Sequence, residues 1–436
     1  MILNPKTFEL RNADSLVGWL WLPLGFLLLV PVIGYTPIAP FPMIQLPLLE
    51  RAIPIMWLLL AGAAALMFRV AKASIPLAAL ISWAVVRAGI NAFPLRSLQL
   101  LVLTAFVSYL YAVARDMDAP RVRLFCWALA AGIGFELALG YLNLFHIYPW
   151  MGWVLPDQVG RAMGLLTHPN YYGSVMALSL PIMWALLGPL AAIAILVPVV
   201  LSQSAGPVIS AFAGIVVAVW PDLGRKTRYF VLGLVSGVAS WVMTVHEWRL
   251  SGRREVWQAV WPELIRYPLI GQGFGDWRVW AEQYNAKLGA VTGKIEAFAT
   301  LQAHNEPYQL LFELGLIGLV LGLLIVLQAG VSARIVWKKN NEVRRPDWWK
   351  RPIPWDMAWL GVVVVAVVNS FGSPTLHLPA QAAIAVFALA RLQSSATTWL
   401  AFDKPVVSLG RARGARGSAT QKAAGKGPSG KEHVHA

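Results

Sequence analysis

The segment HNEPYQLLFELGLIG, residues 304–318, places a histidine and an asparagine where a polar stretch gives way to an apolar helix. An imidazole has an unperturbed pKa of about 6.5, so it can accept or return a proton near neutral pH. His304 is therefore a candidate general base, expected as an exposed side chain at a helix start; a merely solvated ring is the alternative. Asn305 or Glu306 caps the helix, and Pro307 suits its first turn because the missing N–H would be unpaired there anyway. Two arginines, Arg253 and Arg254, precede a stretch in which Trp257, Trp261, Leu264 and Ile265 recur at helical spacing, a face suited to a membrane interface. The glycine-rich GQGFGDW that follows lets the backbone approach a ligand or another loop closely. It neither follows a buried strand nor opens a long helix, so dinucleotide and P-loop readings fail.

These groups need elements to hold them, and composition says in what medium. Hydrophobic residues make up 58% of the 436 residues and charged ones 13%, with a mean hydropathy of +0.60. That is the balance of a polytopic membrane protein. Apolar runs begin near Leu16, Ile53, Ser74, Leu98, Leu124, Tyr171, Pro189, Gly206, Tyr229, Tyr308, Asp356 and His377. No alternating barrel pattern appears, so the expected fold is all-α with about twelve transmembrane helices. No cleavable signal peptide is read at the start, and the single cysteine, Cys126, excludes a disulfide framework or a cysteine metal cluster.

The net charge of +15 clusters after alternate runs: Arg69 and Lys72; Arg115, Arg121 and Arg123; Arg225, Lys226 and Arg228; Arg334 to Arg351; and Lys404 to Lys431. By the positive-inside rule these loops and both termini are cytoplasmic, and the charge does not indicate nucleic acid. The long hydrophilic segment, about 247–303, then lies outside, with Pro149 to Thr167 on the same face. Residues 1–400 read as one transmembrane domain. Residues 401–436 read as a disordered basic cytoplasmic tail, free or drawn to anionic membrane lipids. His304 and Gly315 are eleven residues apart, about 16 Å along a helix. Gly315, Gly318 and Gly322 therefore read as small-residue positions where neighbouring helices approach.

Arg161, Gly164, His168, Pro169, Asn170 and Gly173 keep R-x-x-G-x-x-x-H-P-N-x-x-G; Arg253, four residues before Trp257, is followed by Pro268, Gly271, Gly273 and Gly275; His304, Asn305, Gly315 and Gly318 keep H-[NSQ]-x9-G-x-x-G. In this order along the chain, the three patterns resemble the O-antigen ligase superfamily of bacterial membrane glycan transferases. The resemblance covers roughly Leu16 to Leu392. One departure stands at Ser204, Ala205 and Gly206, where members usually read Ser-Arg-Gly. The resemblance implies a GT-C-like glycosyltransferase of the bacterial inner membrane, with its active site on the periplasmic face. It implies transfer of a glycan from an undecaprenyl-diphosphate carrier to a hydroxyl of a lipid A-core or other glycan acceptor, inverting the anomeric centre with neither metal nor cofactor.

In that chemistry His304 takes the acceptor proton, and fixed arginines stabilise the charge growing on the diphosphate. Arg253 is the first candidate and Arg161 the second. Arg87, inside an apolar run where a charge is costly, either supplies the cation missing at Ala205 or snorkels. Asn305 orients the ring or acceptor, or is a plain cap. His168 and Asn170 are orienting residues, and for His168 a loop-ordering hydrogen bond competes with proton transfer. Runner-up readings are an O-antigen or exopolysaccharide polymerase and a protein O-oligosaccharyltransferase. A lipid-linked sugar transporter or flippase is a different class, disfavoured because no inverted repeat is apparent.

Overall fold

The computed structural model describes residues 74–90, 95–147, 160–166, 168–245, 253–292, 303–342, 351–373, 375 and 377–402. Among them the chain is all-α, with no strand. Helices α1 (Ile75–Ile90), α2 (Leu95–Asp116) and α3 (Ala119–Leu144) are followed by a 3-10 turn, Gly164–Leu166, and then by α4 (Pro169–Leu187), α5 (Pro189–Leu201), α6 (Ala205–Val219) and α7 (Arg225–Val245). Two helices, α8 (Arg253–Arg266) and α9 (Asp276–Thr292), lie in the long hydrophilic segment; α10 (Glu306–Asn341), α11 (Trp355–Asn369) and α12 (Pro379–Phe402) complete the order. Of the twelve apolar runs, those near Leu16 and Ile53 lie outside the described residues, as does the tail beyond Phe402. The other ten coincide with α1 to α7 and α10 to α12. Among the described residues three stretches, Ala119–Leu144, Ala205–Asp222 and Glu306–Asn341, are long and apolar enough to cross a membrane. At 13 residues, α5 is about 20 Å long and falls short of a hydrocarbon core of about 30 Å.

Local chemistry sets the helix ends. The Asp118 side chain accepts from the Arg121 N–H and starts α3, while Gly188, with φ 92°, separates α4 from α5. From Tyr172 to Ala185, α4 is buried throughout, which makes it the central helix. It packs on α5, α6 and α11, and α11 in turn packs on α6, α10 and α12. The α6–α11 crossing is close because glycines face each other: a Cβ on Gly214 would lie 2.8 Å from the Gly361 carbonyl oxygen.

Helix α10 is broken at Gly315, whose φ of 68° and ψ of −167° are not helical. The turn between α8 and α9 enters the break and pairs with it. Gln272 and Gly273 donate N–H to the carbonyls of Phe312 (2.8 Å) and Glu313 (3.1 Å), and Leu316 and Ile317 donate to Pro268 (2.9 Å) and Leu269 (3.2 Å). The indole N–H of Trp83, on α1, takes the Leu314 carbonyl at 2.9 Å. A Cβ on Gly315 would sit 2.3 Å from the Leu269 carbonyl oxygen, and one on Gly271 would sit 2.5 Å from the Glu313 carbonyl carbon. This corrects the reading of Gly315 and Gly318 as helix-packing positions. Gly315 is where the helix opens to admit a loop, and the resulting kink lays Leu314 of the same helix over Gly318.

The face read along α8 also divides. Val256, Val260 and Leu264 form the buried stripe, joined by Trp277, Ala281 and Phe312, with Trp257 half-buried at its edge. Trp261 and Ile265 are turned outward, 57% and 60% exposed. The spacing i, i+4, i+8 from Val256 wins because α8 packs on α10 along that stripe.

Gly315→Ala is expected to destabilise the protein by at least about 2 kcal/mol, since the new methyl meets backbone atoms and the positive φ disfavours any side chain. Gly330, in the unbroken part of α10 with nothing within 4 Å of its Cβ position, is expected to accept alanine without loss. Thermal unfolding of the two purified variants decides this; equal behaviour would refute the docked-loop account of Gly315.

Candidate active site

Of the residues singled out in the sequence, Asn305 and, through Ser174, Asn170 meet the turn that ends α11. Asn305 caps α10: its Oδ1 accepts from the Tyr308 N–H at 2.9 Å, and its Nδ2 donates to the Phe371 carbonyl at 3.4 Å. One residue later the Glu306 N–H donates to the Ser370 carbonyl at 2.8 Å. From the other side, Ser174 Oγ on α4 approaches Asn369 Oδ1 (3.4 Å) and Ser373 Oγ (3.3 Å). Asn369 itself is fully buried and donates to Thr375 Oγ1 at 3.0 Å. Gly206, at the start of α6, lies against Asn369 and Gly372. The starts of α4, α6 and α10 thus meet around residues 369–373.

His304 stands at this junction with φ 53°, in the left-handed region. The flanking backbone is pinned: Trp257 Nε1 donates to the Ala303 carbonyl at 3.1 Å, and the Ala303 N–H donates to Gln309 Oε1 at 3.1 Å. The expectation of an exposed ring is corrected, because His304 is only 8% exposed. Next to it, Ala303 is packed into the cluster of α8, α9 and α10.

The R-x-x-G-x-x-x-H-P-N-x-x-G segment is built onto α3 and α5. Glu136 accepts from the Leu165 N–H at 2.9 Å, and Asn143 Oδ1 accepts from Gly164 at 2.9 Å and Met163 at 3.3 Å. Arg161 donates from Nε to the Ser202 carbonyl (2.9 Å), and from Nη2 to the Gln203 carbonyl and Ser204 Oγ, both at 3.3 Å. His168 is the N-cap of α4, with Nδ1 accepting from the Asn170 N–H at 3.2 Å, and its ring lies on Tyr171. Asn170 is 8% exposed, and its carbonyl accepts from Ser174 Oγ at 2.7 Å.

Arg87 is buried, so snorkelling does not describe it. Its Nη2 donates to the carbonyls of Gly271 (2.8 Å) and Gln272 (2.9 Å) and holds the glycine turn in the α10 break. The arginine that reaches the neighbourhood of Ala205 is Arg161, through Ser204, and not Arg87. Arg253 opens α8; its side chain lies outside what the structure describes. Among the described residues no group of three or more His, Cys, Asp or Glu is arranged to hold a metal ion.

Sequence reasoning missed a second histidine. His377, between α11 and α12, places Nδ1 2.8 Å from Glu306 Oε2 and Nε2 3.8 Å from Glu313 Oε2. Burial alone would push its pKa down, but the two carboxylates, Glu306 first, raise it to about 10. Two signals pointed here: acidic residues at positions 306 and 313 on one face of an apolar helix, and a histidine in the polar loop before the last run.

The architecture is that of a helical membrane protein with polar side chains gathered where several helices begin. Residues 190–323 match the family model of the O-antigen ligases, so over that segment the chain resembles a family of membrane glycan-processing enzymes. The match runs from α5 through the broken part of α10 and includes the loop pattern and the His304 motif; the Arg161 to Gly173 motif lies before it. No curated protein matches the chain.

The folded pKa of His377, about 10, lies above its ordinary value of 6.5, so folding retains a proton that the unfolded chain releases. Its stabilisation is complete below about pH 6.5 and is lost as pH rises to about 10. Thermal unfolding of the purified protein is expected to fall across that window, with a flatter response in His377→Gln. Identical pH profiles for the two proteins would refute a protonated His377.

Proposed function

We propose that the protein is a membrane glycosyltransferase of the O-antigen ligase type, moving a glycan from an undecaprenyl-diphosphate carrier to an acceptor hydroxyl, with lipid A-core as the leading acceptor. The observation that carries this reading is the family match across residues 190–323. The His304 motif within it begins a helix at the mouth of a polar junction. The direction of the positive charges supports a site on the periplasmic face of the inner membrane, with both termini cytoplasmic.

His304 acts as the general base. As the acceptor oxygen attacks the anomeric carbon, its proton passes to the imidazole; the glycosidic bond breaks with its electron pair going to the diphosphate, and direct displacement inverts the centre. Arg253, at the N-terminal end of α8, carries the growing diphosphate charge together with the orphan N–H groups of that helix end. Arg161 and Arg87 serve first as positioning residues, because their guanidinium groups bond the backbone of the α5–α6 turn and the glycine turn. Asn305 fixes the helix start behind His304, and His168 and Asn170 order the facing start of α4.

The decisive experiment supplies purified protein in lipid vesicles with an undecaprenyl-diphosphate-linked glycan and candidate acceptors. Turnover separates an enzyme from a transporter, and the acceptor used separates a ligase from a polymerase or a protein glycosyltransferase. His304→Ala and His304→Gly are expected to lower transfer by about 10²- to 10⁴-fold, the usual contribution of a positioned base. Glycine also relieves the positive φ, so His304→Gly should fold at least as well as the parent. Near-parent turnover in either variant would end the base assignment.

Arg253→Lys is expected to lose most activity, since lysine keeps the charge but not the planar fork that holds two phosphate oxygens. If Arg253→Lys matches the parent while Arg161→Lys is inactive, the diphosphate cation is Arg161.

A further inference from the structure

The acidic residues of α10 form a cluster that the transfer chemistry does not use. Glu306, Gln309 and Glu313 share one face and are 2%, 3% and 2% exposed. Charges buried this deeply persist only where each oxygen finds a donor. Glu313 Oε1 accepts from Gln309 Nε2 at 2.9 Å. Its Oε2 accepts from the Gly275 N–H at 3.0 Å and lies 3.8 Å from His377 Nε2. Glu306 Oε2 takes the short contact with His377 Nδ1.

Three separate stretches of chain are joined in this way. Gly275 belongs to the turn docked in the α10 break, the two carboxylates belong to α10, and His377 belongs to the α11–α12 loop. The α10 start and the α11–α12 loop lie next to His304 in the chain or through its neighbours, and Glu313 ties the glycine turn to them. Glu306 is two residues beyond His304, the Glu306 N–H and the Asn305 side chain are bonded to the carbonyls of Ser370 and Phe371 of the same α11–α12 loop, and His304 has a left-handed backbone and is nearly buried.

We infer that His377 is a positioning residue for the proposed transfer, a single cation clamped between Glu306 and Glu313 that locks the α11–α12 loop and the glycine turn onto the start of α10 and so holds His304 in its left-handed geometry. The inference rests on the reading of His304 as the base. Its physical content is charge balance: without the imidazolium, two buried carboxylates face the same space, and the loop moves away to admit water.

The test compares His377→Gln, Glu306→Gln, the double variant and His377→Lys, each in lipid vesicles. Transfer of glycan from an undecaprenyl-diphosphate donor is measured beside hydrogen–deuterium exchange of residues 303–310 and 368–378. In His377→Gln, kcat is expected to fall by about tenfold or more with little change in the donor KM, the scale of one lost charge-assisted contact, and exchange is expected to rise in both segments. Adding Glu306→Gln removes the surplus negative charge and restores most of kcat and of the protection, while His377→Lys stays nearer the parent than His377→Gln. Losses that simply add in the double variant, or unchanged exchange in His377→Gln, overturn the clamp. Should His377→Gln fail to accumulate, recovery of folded protein in the double variant supports the clamp, and its absence overturns it. A parent protein that transfers nothing overturns the proposed reaction instead, and exchange alone then judges the clamp.

Discussion

Opening a helix in apolar surroundings strands backbone groups that water cannot reach, and the break in α10 at Gly315 is the opening on which the rest of this site depends. The carbonyls of Phe312, Glu313 and Leu314 and the N–H groups of Leu316 and Ile317 all find partners outside the helix. Each left unmatched would cost several kcal/mol, on the order of the protein's whole margin of stability for two or three of them. The turn from Pro268 to Gly273 must therefore sit in the break, and α1 must bring Trp83 and Arg87 alongside. The position of the α8–α9 hairpin follows, because its two helices are tied to the ends of that turn. So does the hold on Ala303, the residue before His304, since Trp257 reaches its carbonyl only from an α8 so placed.

Arginines within the helical bundle extend the same logic. Arg391 on α12 donates to the carbonyls of Ala114 and Met117, at the C-terminal end of α2. Arg161 does this for the end of α5, where Ser202 is the C-cap, and Arg87 does it for the glycine turn. In each case a guanidinium fork answers carbonyls that a helix end or break leaves over, where the helix dipole also favours positive charge. A cation in an apolar run is thus not by itself a mark of a phosphate site. Only the donor geometry separates the two uses, and it assigns Arg87 and Arg161 first to the backbone.

Periodicity made most of the helices legible, because long apolar runs have few alternatives: ten of the twelve expected runs fall on described helices. The cap at Asn305 and the place of Pro307 in the first turn were legible for the same reason, since side-chain oxygen and missing N–H act within a few residues. Three features were not. Gly315 looked like a packing glycine because its spacing from Gly318 and Gly322 fits a helix face, and nothing local reveals a loop from 40 residues upstream. The packing stripe of α8 went unread because the tryptophans drew attention to a face suited to a membrane interface, while the smaller Val256 and Val260 mark the side that packs. His377 escaped notice because its partners, Glu306 and Glu313, are 71 and 64 residues away, and a long-range ion pair leaves no periodic trace.

The conformation of His304 bears on why a histidine occupies this place at all. A non-glycine residue at positive φ costs free energy that glycine would not, and Asn305 already provides the helix cap. Stability alone would therefore favour glycine or asparagine at position 304. The strain persists because the neighbours over-determine it: Ala303 is held on both its N–H and its carbonyl, Asn305 is held by Phe371 and Tyr308, and the Glu306 N–H is held by Ser370. Such a frame fixes the backbone from which the ring projects, and a base must sit within hydrogen-bond reach of its proton in a productive pose. The left-handed turn at His304 and the bonds that hold Ala303, Asn305 and Glu306 are then parts of one arrangement, in which stability is given up at a single residue and recovered from its bonded neighbours.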